Sequence, residues 1–393
     1  MTILFFSRLF YPHIGGVETH VLEVGDRLAK KGHKIILVTE ELSGDRHKNW
    51  QSDDESARQT GGIESKISSW EIYRIPLGKA NVSESSKKWK IWWWLWHHRD
   101  LIQKADVVHC HDVFFWFLPF RFLCRDKPVF TTFHGYETVF PPAKRAITIR
   151  QWSEKLSWGN ICVGDFIKKW YGTHPDFVTY GGVDIQAIKD HQNDKVASEP
   201  IVSESFTDKQ KVKEADNTKK IRNEVVRILF VGRLSADTGI LAYDQAISIL
   251  NKKSKQSQFE LMVLGDGLLK DNLENLLRST SYEQNIYPYI KSAHIIFASS
   301  YLSILQALAM KKPVIAFYDN PLKEDYLKMS PFARWIFVEN SSEKIAQRVL
   351  DILAEKEPLA EKLKEAYLWV SGQTWENVTT LYIKLWNRKM HLK

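Results

Sequence analysis

The chain has 393 residues, 44% of them hydrophobic and 26% charged, a globular balance too large for one small core and suited to two domains of ordinary size. A net charge of +8 points to anionic partners, whether nucleic acid, lipid or substrate. Three isolated cysteines, Cys110, Cys124 and Cys162, show neither paired metal-ligand spacing nor disulfide density, so a disulfide scaffold is set aside and a reducing compartment is expected.

The apolar run Thr2–Ser7 reads as a strand at the very start, with no basic segment before it and no small-residue cleavage site after it, so no signal peptide is expected. Past Gly15-Gly16, residues Val17, Val21, Val24 and Leu28 recur at helical spacing, Gly32 stops the helix, and Lys34–Thr39 is a second strand. Such a βαβ start predicts a parallel sheet covered by helices. Residues 41–67 read as a polar loop. Lys87–Arg99 sets five tryptophans (Trp89, Trp92, Trp93, Trp94 and Trp96) among basic residues. That pattern suits an interfacial membrane segment and equally a core helix with aromatic packing. The longest apolar stretch, Val113–Cys124, contains Pro119 and Arg121 and falls short of the roughly 20 residues of a spanning helix. Ala105–Cys110, Pro128–Phe133, Ile161–Gly164 and Phe177–Tyr180 read as four more strands.

From Ile188 to Asn223 the chain turns polar and charged, the composition of a solvated linker or disordered insertion. A second alternating unit follows. Its strands are Arg227–Val231, Glu260–Leu264, His294–Ala298 and Pro313–Phe317. Ile240, Tyr243, Ile247 and Leu250 mark one helix, a second runs from Gly267 to about Arg278, and a third covers Tyr301–Met310. The tail from Ser342 to Trp386 is mostly helical.

Several strand-to-helix junctions carry candidate chemistry. Gly15-Gly16 sits where a helix N-terminus offers free N–H groups to a diphosphate, or where a tight turn is needed. Gly232–Gly239 holds the same place in the second half, with Arg233 able to grip phosphate and Asp237 or Thr238 as helix caps. Ser299-Ser-Tyr-Leu-Ser-Ile-Leu-Gln306 leads from a strand into a helix whose first turn suits an anion, with Gln306 placed for sugar hydroxyls. His109 and His111 share a strand face without a third ligand nearby, so no metal is expected. His134 follows a buried strand at the end where open sheets place ligands, and equally suits a satisfied structural histidine.

In order and spacing these pieces resemble the family 4, or group 1, retaining glycosyltransferases with the GT-B fold. The carrying residues are Gly-Gly-Val-Glu at 15–18, Val107–Asp112, Thr132–Glu137, Gly181–Asp184, Val231–Leu234, Leu264–Gly267 and Gln306–Ala316. The resemblance implies an α/β architecture of two Rossmann-like domains facing across a cleft. Residues 1–187 would form the acceptor-side domain, completed by a C-terminal helix crossing back within about 370–393. Residues 188–225 would be the linker and 226–369 the donor domain. His134 and Arg233 would be catalytic, with Gly15, Gly16, Glu18, Thr238, Ser299, Ser300, Leu302, Ser303 and Gln306 at the substrates and no metal or cofactor. Three departures stand out. Thr238 replaces the family's phosphate-binding lysine, Gln306 replaces a glutamate, and a second glutamate is missing around Ser300 and Tyr301. Lys323 is a candidate substitute for the lysine.

The implied reaction moves a sugar from a UDP- or GDP-linked donor to a glycan or lipid-linked acceptor in cell-envelope glycan synthesis. The implied place is the cytoplasm at the inner membrane face, with a peripheral membrane contact through Lys87–Arg99 and no nucleic acid. Two other readings stay open: a non-catalytic family member acting as a binding subunit, and a nucleotide-sugar epimerase on the same fold.

Overall fold

The computed structural model describes residues 1–13, 15–41, 63–77, 84–137, 139–193, 224–254, 257–273, 276–280, 285–354 and 356–391. Contacts divide the chain into two compact units. One comprises Met1–Val183, Asn320–Pro331 and Gly372–Lys393; the other Asp184–Asp319 and Phe332–Ser371. Most of the linker expected at 188–225 lies outside the described residues, although its first part is helical.

The first unit runs β1 (Thr2–Ser7), α1 (Gly16–Lys30), β2 (Lys34–Glu40), α2 (Ile63–Ile67), β3 (Glu71–Ile75), α3 (Glu84–His97), α4 (Arg99–Lys104), β4 (Val107–His111), α5 (Phe114–Leu123), β5 (Val129–Phe133), α6 (Lys144–Leu156), β6 (Gly159–Val163), α7 (Phe166–Tyr171) and β7 (Phe177–Thr179). Its seven strands are all parallel in the order β3-β2-β1-β4-β5-β6-β7. The order reverses between β1 and β4, which makes their C-terminal edge a topological switch point. The loop expected at 41–67 is corrected at its end, because Ile67 is buried and holds the short helix α2.

Strand alternation sorts the residues of β4. Val108 and Cys110 join a core with Trp94 and Leu95 of α3 and Trp116, Phe117 and Phe120 of α5. His109 and His111 lie on the opposite face and are as fully buried. Pro119 sits inside α5. Among the described residues no helix is long and apolar enough to cross a membrane.

The second unit runs α8 (Ile185–Asn193), β8 (Glu224–Val231), α9 (Ile240–Lys253), β9 (Ser257–Leu264), β10 (Leu276–Thr280), α10 (Tyr287–Ser292), β11 (Ile295–Phe297), α11 (Tyr301–Ala309) and β12 (Val314–Phe317). The chain then forms α12 (Pro321–Lys328), which belongs to the first unit, and returns for β13 (Phe337–Glu339), α13 (Ser342–Ala354) and α14 (Lys356–Val370). The last helix, α15 (Trp375–Met390), belongs to the first unit and packs against α1, β6 and β7. The second sheet is parallel in the order β10-β9-β8-β11-β12-β13, with its switch point between β8 and β11. The helix expected up to Arg278 is instead a 3-10 turn at Lys270–Asn272 and the edge strand β10. A run such as Leu273–Leu277 is too short for periodicity to separate helix from strand, and pairing with β9 decides it.

Trp116 gives a direct test of the first core. Its side chain is fully buried and its indole N–H has no hydrogen-bond partner. Trp116→Ala should cost about 3–5 kcal/mol in urea denaturation by leaving a cavity. Trp116→Phe should cost much less, because the polar atom it deletes is unpaired. Equal losses would show that the indole nitrogen is satisfied in solution.

Candidate functional site

The sequence candidates fall on the C-terminal edges of the two sheets, and each sheet is described by itself. In the first, α1 begins beside the end of β1. Gly15 is its extended N-cap and has no side chain to offer the helix. Glu18 stands three residues on, at the capping-box position, and its Oε1 meets His13 Nδ1 at 3.1 Å. A Cβ at Gly15 would lie 2.6 Å from Glu18 Oε2, whereas one at Gly16 would meet nothing within 4 Å. Glu18 thus folds back over the helix start, and the open approach is at Gly16.

At the ends of β4 and β5, Asp112 takes a left-handed conformation (φ 60°), one that Asp tolerates better than most residues. The turn aims its carboxylate back at the next strand, where it accepts from His134 N at 3.1 and 3.2 Å. Burial pushes the Asp112 carboxyl up to about 6, against the pull of the Arg150 guanidinium and the His134 N–H, while Glu137 adds to the rise. Arg150 is itself buried, stacked 4.0 Å over the Tyr171 ring, and 3.4 Å from Glu137 Oε1. His134 is half-buried, with Nε2 2.8 Å from His111 Nδ1.

Beneath His134 lies a layer of polar rings that sequence reading did not assemble. His20 of α1, His109 and His111 of β4, Thr132 of β5, and Tyr382 and Trp386 of α15 are all buried. Thr132 Oγ1 lies 2.8 Å from both His109 Nε2 and the Tyr382 hydroxyl. Tyr382 also meets His20 Nε2 at 2.9 Å, and Trp386 Nε1 donates to His109 Nδ1 at 3.1 Å. Burial lowers His20 to about 3 and holds His109, His111 and His134 well below 6.5. Among the described residues no group of three or more His, Cys, Asp or Glu side chains is placed to hold a metal ion.

In the second sheet, the loops after β8 and β9 join backbone to backbone. Gly232 N donates to Leu264 O at 3.1 Å and Leu234 N to Asp266 O at 2.9 Å. A Cβ on Gly265, whose φ is +154°, would lie 1.8 Å from Gly232 O, so only glycine fits that contact. The loop presents Arg233, whose side chain is 61% exposed and paired with Asp237 Oδ2 at 3.0 Å. The expected caps are corrected: Gly239, left-handed at φ 80°, is the N-cap of α9, while Asp237 and Thr238 lie in a 3-10 turn ahead of it. Thr238 Oγ1 is turned inward and donates to Arg233 O and Ser235 O.

One strand over, Phe297 of β11 pairs in register with Phe230 of β8. Arg233 and Ser300 each stand three residues beyond that pair, so a cation and the start of α11 share one sheet edge. Ser300 is the N-cap of α11 without a side-chain capping bond, and its hydroxyl lies 2.9 Å from Ser303 Oγ. Ser299 is buried. Its Oγ accepts from Phe317 N at 3.1 Å and bonds the Tyr243 hydroxyl at 2.7 Å, so it ties β11 to β12 and α9. Leu302 and Gln306 are the half-buried positions of α11, four residues apart on one face, between buried neighbours. Lys323 belongs to the first unit and is buried, its ammonium 4.3 Å from the Tyr326 ring centre.

Two parallel sheets with helices, each with its own switch point, place the chain among the α/β proteins built from two Rossmann-like units. Residues 14–187 match the family description "Glycosyltransferase Family 4" and residues 225–355 match "Glycosyl transferases group 1". The chain belongs to the family 4, group 1 glycosyltransferases and has the GT-B fold. Sucrose-phosphate synthase from Thermosynechococcus elongatus superposes with a TM-score of 0.69 at 12% identity, covering 100% of both chains. The UDP-GlcNAc 2-epimerase of Neisseria meningitidis, solved bound to UDP-GlcNAc, gives a TM-score of 0.58 at 16% identity over 98% of this chain and 99% of the other. One of the subunits of human phosphatidylinositol N-acetylglucosaminyltransferase is 28% identical over 114 residues, 28% of this chain and 19% of that protein. The match therefore spans about a fifth of the human relative's length.

The buried histidines make stability depend on pH. A histidine whose pKa is lowered by folding leaves the unfolded state binding more protons below its ordinary value near 6.5. The stability it supports is complete above that value and is lost as pH falls toward the folded-state value. His20, His109 and His111 each contribute in this sense, up to about 1.4 kcal/mol per pH unit. Asp112, raised to about 6, acts in the opposite sense between there and its ordinary value. Urea midpoints should therefore fall between pH 7.5 and 5.5. A midpoint that is flat or rises on acidification would mean these rings are not held neutral.

Proposed function

We propose that the chain is a retaining glycosyltransferase that moves a sugar from a UDP- or GDP-linked donor to a glycan or lipid-linked acceptor, in cell-envelope glycan synthesis. The observation that supports this reading is the register of β8 and β11, by which Arg233 and the N-cap of α11 each follow the Phe230–Phe297 pair by three residues at a sheet's switch point. A fixed cation and free helix N–H groups suit a diphosphate. In the proposed reaction the acceptor hydroxyl attacks on the leaving-group face, and the donor phosphate takes its proton. No protein nucleophile and no metal enter this scheme. The protein's part is to stabilise negative charge building on the diphosphate, for which Arg233 and α11 are placed. Gly16 offers a close backbone approach, His134 would lie by the sugar, and Gln306 would bond ribose hydroxyls as donor and acceptor.

One observation favours a second reading, a non-catalytic binding member. Thr238 stands where the family carries a lysine, and its hydroxyl is committed to its own loop. Melting temperatures against UDP-, GDP-, ADP- and TDP-sugars separate the two. A donor at about 100 times its Kd stabilises the folded state by about 2.7 kcal/mol. One donor should raise the melting temperature by several degrees, and Arg233→Ala should abolish the rise. Transfer from that donor to an acceptor supports the enzyme, binding without turnover supports the non-catalytic member, and no shift with any donor would reject both. Release of an epimerised nucleotide sugar would point to the epimerase instead.

The acceptor reading extends to a membrane surface. On α3, Trp89, Trp93 and Trp96 are 70%, 65% and 49% exposed and recur at spacings of four and three, so they form one outward stripe. Trp94 and Leu95 point the other way into the core, and Trp92 Nε1 donates to Phe115 O at 2.8 Å. The core reading holds for the inner face of the helix, and the exposed stripe on its outer face supports the interfacial one. Lys87, Lys88, Lys90 and Arg99 flank the stripe, and Phe122 and Leu123 at the end of α5 are also exposed. Indoles beside lysines suit the headgroup region of an anionic bilayer. The chain should co-sediment with vesicles containing phosphatidylglycerol, and the triple variant Trp89→Ala, Trp93→Ala, Trp96→Ala should bind at least tenfold more weakly. Undiminished binding by that variant would assign the stripe elsewhere.

A further inference from the structure

The proton positions in the layer beneath His134 follow from one fixed donor. An indole N–H only donates, so Trp386 Nε1 makes His109 Nδ1 an acceptor. His109 is fully buried and neutral, so its one proton sits on Nε2 and is donated across 2.8 Å to Thr132 Oγ1. The Thr132 hydroxyl then has the Tyr382 oxygen, 2.8 Å away, as its acceptor. Tyr382 in turn donates across 2.9 Å to His20 Nε2, which leaves the His20 proton on Nδ1. Reversing any step would set two N–H or O–H groups against each other, or leave a buried group unpaired at roughly 1–3 kcal/mol.

The chain of hydrogen bonds ends against the candidate site. The His20 and His134 rings meet edge to face, with centroids 4.7 Å apart and planes at 86°. His134 is gripped from its other side by His111 Nδ1 at 2.8 Å and through its backbone N–H by Asp112. Among the described residues, Arg150 of α6 acts on His134, Asp112 after β4 acts on Tyr382, and Glu137 in the loop after β5 acts on Asp112.

We propose that Tyr382 and Trp386 are positioning residues of the candidate site: they impose one proton arrangement, Trp386 to His109 to Thr132 to Tyr382 to His20, and so fix the ring against which His134 rests. The importance of His134 depends on the glycosyltransfer reading above, whereas the proton arrangement does not.

Long-range proton–nitrogen NMR on the full chain labelled with 15N-histidine tests this at pH 7.5, with His20→Gln and His109→Gln for assignment. The expected spectrum has His109 protonated on Nε2 and His20 on Nδ1. In Tyr382→Phe the His20 shifts should move toward tautomer-averaged values, and the His134 ring resonances should move with them. Trp386→Phe should release His109 in the same way. A wild-type His20 protonated on Nε2, or His134 resonances unmoved in Tyr382→Phe, would overturn the proposal. Near-ultraviolet circular dichroism of each variant separates loss of the proton order from loss of the fold. Where a donor has been found by melting, Tyr382→Phe should bind it at least fivefold more weakly, and unchanged affinity would refute the positioning role. A protein that binds no donor but shows the expected tautomers would reject the function and leave the proton arrangement standing.

Discussion

The hydroxyl of Tyr382 is the contact on which the first unit depends. The inner face of β4 and β5 carries His109 and Thr132, polar groups that an apolar helix would leave short of partners at roughly 1–3 kcal/mol each, beside His111, whose Nδ1 is taken by His134. The C-terminal helix supplies His109 and Thr132 with partners, one donor from Trp386 and one donor–acceptor from Tyr382, four residues apart on the same side, while His111 Nε2 stays buried without a hydrogen-bond partner. The neighbouring β4 face, with Val108 and Cys110, makes no such demand and is closed by the aromatic side chains of α3 and α5. One sheet therefore has a dry face and a hydrogen-bonded face, and the hydrogen-bonded face runs directly to His134.

The second unit solves the same problem with less polar material. Tyr243 of α9 is buried against Phe297, and its hydroxyl bonds Ser299 Oγ and Ile315 O. Those bonds pin the ends of β11 and β12, and with them the place where α11 begins. The Gly232–Gly265 contact pins the ends of β8 and β9 in the same way, through backbone alone. Arg233 and the start of α11 are thus carried on strand ends that cannot shift independently, although Arg233 itself is exposed.

Much of this was legible in the sequence because the signals are local. The βαβ rhythm of Thr2–Thr39 and the apolar runs of the second half correspond to the strands and helices observed. The alternation of His109 and His111 correctly places both on one face. Failures occurred where a neighbour distant in sequence decides. β10 is a strand because β9 lies beside it, and Ile67 nucleates α2 because the core accepts it. The partner of the Ser299 hydroxyl, Tyr243, stands fifty-six positions earlier and gave no local signal. The partners of His109 and His20 lie 277 and 362 residues away on the last helix, beyond the reach of any pattern in a short window.

The exposed ion pair between Arg233 and Asp237 bears on how an anion would be received. A pair of this kind, four residues apart and open to solvent, is worth about 0.2–1 kcal/mol. A charge-assisted bond from the guanidinium to a phosphate is worth roughly 1.5–3 kcal/mol. The Arg233–Asp237 contact is itself charge-assisted, so a diphosphate at the proposed site would have to compete with Asp237, whose other oxygen accepts from Ser235 Oγ. Asp237 balances the Arg233 cation locally. The lysine that family members carry at Thr238 would add a second cation to the same small turn. Its replacement by threonine removes that charge and ties the turn to itself. The proposed donor site keeps one cation and one helix start, and any diphosphate bound there would rest on Arg233 more heavily than in a family member that has both.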